Sequence, residues 1–82
     1  EVELRFSKQV ARRVLESRWH PSEKITEQKD GSLMWCASIA EPQEMLPWIR
    51  GWGADVEVLK PEQLRETLKN EVEKMAGLYG IP

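Results

Sequence analysis

The side chains here that could do chemistry are few. His20 and Cys36 are each the only one of their kind, sixteen positions apart. A zinc centre needs three or four ligands, which this pair does not supply. Glu16 and Glu23 flank a connector with nothing around it that marks a pocket. A phosphate-handling enzyme needs a glycine-rich turn of backbone N–H groups, and the step from Phe6 to Ser7 has no glycine. The expectation is a protein that is not an enzyme and carries no metal or cofactor. What does cluster is basic. Arg12, Arg13, Arg18, His20 and Lys24 fall on the outer side of the first predicted helix and its exit. Such a group can meet phosphate oxygens. Arg12, Arg13, Arg18 and His20 are therefore the candidates for contact with an anionic group.

The elements that position these residues follow from the apolar spacing. Val2, Leu4 and Phe6 alternate with charged residues, the period of a half-buried strand. Ser7 is placed to cap a helix running to about Ser17, with Val10, Ala11, Val14 and Leu15 as its apolar stripe. Pro21 ends helical structure in the connector from Arg18 to Ser22. Lys24 to Gln28 reads as a polar edge strand, Lys29-Asp30-Gly31 as a hairpin turn, and Leu33 to Ala40 as the most apolar strand. A second helix spans Glu41 to Trp52, with Pro47 starting its regular part after a looser turn. Val56 and Val58 mark a fourth short strand. Pro61 opens a third helix with Leu64, Leu68, Val72, Met75 and Tyr79 on one stripe.

This order predicts an α+β fold: the ferredoxin-like split β-α-β sandwich (βαββαβ) with an added C-terminal helix. Right-handed crossovers place both helices on one sheet face and give strand order 4-1-3-2. The core set is then Val2, Leu4, Phe6, Leu33, Trp35, Ala37 and Ile39. The free face carries Glu3, Arg5, Met34, Cys36 and Ser38, with Thr26 and Glu57 at the edges. That face has no aromatic platform for stacking bases. Trp35 and Trp52 are assigned to the core, while Trp19 and Trp48 become interface anchors if exposed. The third-helix stripe spans ~22 Å. If the first two helices already cover the sheet, Leu64, Leu68, Val72, Met75 and Tyr79 are left to pack on a partner.

Eighty-two residues allow one domain, read here as spanning 1–82. The formal charge of -2 is spread thinly, with seven Lys+Arg against six Asp+Glu in the first thirty residues. This is not the strong basic footprint of a dedicated nucleic-acid binder. A single cysteine allows no internal disulfide, and no apolar run is long enough to span a membrane. The expected setting is cytoplasmic. The chain opens at Glu1 without a methionine, as a piece of a longer protein would.

Several blocks together resemble the C-terminal extension, often called WCX, of WYL-domain transcriptional regulators of bacteria. They are Val2-Glu3-Leu4-Arg5-Phe6, Ala11-Arg12-Arg13-Val14, Arg18-Trp19-His20-Pro21-Ser22, Asp30-Gly31-Ser32-Leu33, Leu46-Pro47-Trp48, Trp52-Gly53, and Asp55 to Leu59 with Pro61 and Leu64-Arg65. The resemblance covers nearly the whole chain and lies in the order and spacing of the set. It implies a ferredoxin-like module that takes part in dimerisation and relays an effector signal, a single-stranded nucleic acid in some members, to a DNA-binding domain elsewhere. The implied partners are the protein's own WYL domain and a second subunit, forming a homodimer, with Arg12, Arg13, Arg18 and His20 as the expected contacts for the effector or the adjoining domain. The Trp-Tyr-Leu motif and any DNA-reading motif are absent, so those activities do not attach to these residues. The alternative is a module that binds single-stranded DNA or RNA through Arg12, Arg13 and Arg18. A third reading, a small-molecule regulatory domain, needs an apolar pocket that the sequence does not display.

Overall fold

A computed structural model describes every residue from Glu1 to Pro82. Strand β1 (Val2–Phe6) is followed by helix α1 (Ala11–Leu15), β2 (Lys24–Glu27) and β3 (Leu33–Ala37). A 3-10 turn at Pro42–Met45 leads into α2 (Leu46–Trp52), and a second at Gly53–Asp55 into β4 (Val56–Lys60). Helix α3 (Glu62–Leu78) closes the order. The strands form one antiparallel sheet in the order β2-β3-β1-β4, an α+β architecture with the strand order expected from the sequence.

The two-residue rhythm explains the core. Leu4 stands opposite Trp35 and Val58, Phe6 opposite Leu33 and Val56, and Val2 opposite Ala37. Val2, Leu4, Phe6, Leu33, Trp35, Ala37 and Val58 are all buried, joined by Val10, Val14, Leu46, Ile49 and Leu64 from the helical side. Ile39 is only half-buried and lies beyond the end of β3. The opposite face carries half-exposed Glu3, Met34 and Cys36 with exposed Arg5.

Helix α1 is shorter than its expected span of Ser7 to Ser17. The Ser7 hydroxyl does not cap it, because that group donates to Asp55 Oδ1 at 2.7 Å while the Ser7 N–H donates to the Asp55 carbonyl at 2.9 Å. Ser7 is thereby tied to the turn before β4, and regular helix begins only at Ala11. Val10 and Val14 share the inward line, whereas Leu15 is rotated about 100° further and is half exposed. Helix α2 follows the expected scheme, with Pro47 in its first turn after a looser segment and Gly53 ending it at φ 61°.

The hairpin turn is built on Gly31 at φ 89°. A side chain there would also crowd Lys8, whose Cβ lies 3.2 Å from the position a Cβ would take. Asp30 Oδ1 accepts from the Ser32 hydroxyl at 2.6 Å and from its N–H at 2.9 Å. These bonds, with Arg5 3.1 Å away, hold the Asp30 carboxyl below the usual carboxylate range.

Strand β4 runs to Lys60, further than expected, through a bulge between the pairs Leu4–Val58 and Glu3–Lys60. The base of α3 lies on this strand. Leu64 is fully buried, and Arg65 Nη1 donates to the Val58 carbonyl at 2.7 Å and to Glu57 at 3.0 Å. Arg50 of α2 forms a two-pronged pair with Glu71 at 2.9 and 2.6 Å, which keeps the Glu71 carboxyl below its ordinary range.

Candidate functional site

The connector after α1 is a dense hydrogen-bonded knot. Glu23 folds back so that its Oε1 accepts from the N–H of Trp19 at 2.7 Å, the N–H of His20 at 3.0 Å and the indole of Trp35 at 3.3 Å. Trp19 Nε1 donates to the Val14 carbonyl at 2.9 Å, tying the connector to α1. His20 Nδ1 accepts from the Ser22 N–H at 3.1 Å, and the Ser22 hydroxyl accepts from Ser38 N–H at 2.9 Å, joining the connector to the end of β3. His20 is thus a connector residue bonded to backbone.

Behind this knot the aromatic residues form one cluster. The Trp48 ring centre lies 5.2 Å from Trp35, 5.6 Å from Trp19, 5.9 Å from Phe6 and 6.1 Å from Trp52. Trp48 Nε1 is buried with no oxygen or nitrogen partner. Trp19 stays 37% exposed at the cluster's edge, and Trp52 is half-buried. Of the four tryptophans only Trp35 is wholly core, with fully buried Phe6 beside the cluster.

Of the basic candidates, Arg12, Arg13 and Arg18 are exposed and none of them forms an ion pair. The Arg13 guanidinium lies 5.8 Å from the centre of the Trp52 ring, a cation–π placement. Arg18 donates to the Pro21 carbonyl at 3.0 Å, which fixes the connector's exit.

The third helix divides in two. Leu64 is 0% exposed and Leu68 is half-buried against the same core, so these two expected partner contacts belong to the domain itself. The physical reason is that the start of α3 lies on β4. Val72, Met75 and Tyr79, further along the stripe, are more than half exposed. Leu78 and Ile81 join them, which sequence reasoning missed. Helix α3 ends with Gly80 at φ 72° and bonds from Ile81 N–H to Ala76 and from Gly80 N–H to Gly77. That cap customarily brings the apolar residue after the glycine back toward the last turn. The signal was present in the sequence as Gly80-Ile81.

The sheet's free face gathers a cluster that residue spacing did not reveal. Ligand atoms of Glu1, Glu3 and Cys36 lie within 4.8 Å of one another. Glu3 also sits 3.5 Å from Lys60 Nζ. Burial, and then the Glu3 and Glu1 carboxylates, push the Cys36 thiol up from its ordinary range, which works against the thiolate form.

A family model described as the WCX domain matches residues 1–76. The chain belongs to that family. No curated protein matches it. The features above that the WCX match spans include the connector knot, the aromatic cluster, and α3 as far as Met75 and Ala76. Tyr79 and Ile81 lie past its end. No helix of this WCX domain is long and apolar enough to cross a membrane.

Proposed function

We propose that this WCX domain is the non-catalytic C-terminal module of a cytoplasmic, bacterial WYL-type transcriptional regulator. It helps join two subunits and couples them to the effector-binding domain. On this reading its sheet and helices form the ferredoxin-like split β-α-β sandwich. The single observation that supports an assembly role is the apolar surface left at the end of α3, where Val72, Met75, Leu78, Tyr79 and Ile81 are exposed together. Large contiguous apolar patches on a soluble protein mark contact sites. The expected result is self-association at micromolar concentration by sedimentation equilibrium, for this chain or for the longer protein that carries it. Val72→Asp combined with Met75→Asp is expected to weaken it about 30-fold or more, the loss of at least one central contact residue. Both positions are exposed in the single chain, so folding is retained. A wild-type protein that stays monomeric argues against the role.

The second reading is contact with single-stranded nucleic acid, favoured by the exposed and unpaired Arg12, Arg13 and Arg18. Titration with labelled single-stranded DNA at two salt concentrations tests it. Binding that falls steeply with salt, with a shallower slope after Arg12→Ala and Arg13→Ala, is the expected outcome of phosphate contact. Binding indifferent to both changes removes it.

A further inference from the structure

The edge of the aromatic cluster opens into a cleft of about 450 Å3, with Trp19, His20, Glu41, Glu44 and Trp48 in its lining. No lysine or arginine lines it. Neither Glu41 nor Glu44 forms an ion pair, and both are exposed. The cleft therefore joins two unpaired carboxylates to two indole rings, with no lysine or arginine to neutralise them. That combination selects a cation.

The ring geometry narrows the kind of cation. Trp19 and Trp48 have centres 5.6 Å apart and planes inclined at 42°. They pack on each other rather than facing across a gap, so they do not form a cage around a quaternary ammonium. A flat cation suits them better. A guanidinium stacks on one ring and donates in its own plane to carboxylates beside it. The same aromatic cluster already holds one guanidinium against a ring, Arg13 over Trp52 at 5.8 Å, with no carboxylate beside it. A free small molecule is usually held in a site that buries most of its surface, which a cleft with exposed Glu41, Glu44 and Trp19 does not provide. A side chain needs only its tip enclosed.

We propose that this cleft is a docking site for an arginine side chain presented by another protein segment, its guanidinium stacked on the Trp19–Trp48 pair and bound by Glu41 and Glu44. The proposal stands apart from self-association through α3, since it uses none of the same residues.

The test follows the indole N–H signals of Trp19 and Trp48 in the labelled chain during titration with acetyl-Gly-Arg-Gly amide. Saturable shifts of those two signals are expected, and the matching lysine peptide is expected to bind about 3-fold or more weakly. Glu41→Gln combined with Glu44→Gln is expected to weaken arginine binding about 5-fold, with the Trp35 indole signal unchanged as the mark of an intact fold. N-acetylarginine amide, the same cation without flanking chain, is expected to bind no better than the peptide. Absent or unsaturable shifts, equal binding of the lysine peptide, or an unaffected double variant overturns the guanidinium site. Tighter binding of the free amide overturns the protein source.

Discussion

Trp35→Ala is expected to destabilise the domain more severely than any surface change. Trp35 is the largest fully buried side chain and sits on a central strand between Leu4 and Ile25. Its ring packs on Trp48 with centres 5.2 Å apart, and its indole N–H reaches Glu23. Truncating a buried tryptophan to alanine costs about 3–5 kcal/mol through lost burial and the cavity left behind. The whole stability of a domain of this length is on the order of 4–12 kcal/mol. The change therefore removes a large share of the total. Thermal melts followed by far-ultraviolet circular dichroism should show a midpoint lowered by about 15 °C or more. Trp35→Phe, which keeps an aromatic ring but no N–H, should lie between the two. A Trp35→Ala protein that melts within a few degrees of the parent would show that the aromatic cluster does not hold the fold.

The second large effect is expected at Glu23, which burial alone would not single out. One of its carboxylate oxygens accepts from three donors, two of them backbone N–H groups of the connector. Glu23→Ala removes the acceptor and leaves all three without a partner. Unsatisfied donors shielded from water cost about 1–3 kcal/mol each at full burial, and here solvent partly replaces the loss. An overall cost of about 2–3 kcal/mol follows. Glu23→Gln keeps a carbonyl oxygen in the same place and should recover more than half of it. Urea unfolding measures both. Hydrogen exchange at the Trp19 and His20 amides would quicken in the alanine variant before the rest of the chain responds. Equal stability of all three proteins would mean that the connector is held by other contacts.

The sheet was legible in the sequence because alternation is a strong signal. Val2, Leu4 and Phe6 against Leu33, Trp35 and Ala37 define both a face and a register, and they pair as that alternation requires. The turn at Gly31 and the delayed start of α2 at Pro47 were readable from the conformational limits of those two residues. The length of α1 was not. Ser7 carries the chemistry of a helix cap, but a partner 48 positions away claims its hydroxyl. Such long-range competition leaves no local trace. Glu23 was hidden for the same reason, since a connector glutamate looks solvated until the chain folds around it. On α3 the stripe itself was visible, but where it passes from the core into solvent was not. That boundary depends on how far β4 supports the helix, a property of the fold rather than of the stripe. The clusters at Glu1, Glu3 and Cys36 and at the Trp19–Trp48 cleft join residues from separate elements, so linear spacing could not reveal them.

The two margins of the sheet carry a further consequence. On one side β2 presents Lys24, Thr26 and Glu27 to solvent; on the other, the bulge in β4 breaks the ladder and Arg65 occupies the Val58 carbonyl. Neither margin is a flat, greasy template onto which another chain could zip. Growth into fibres by strand addition is disfavoured at both margins. Any contact between copies of this molecule is then one of faces rather than of strand edges.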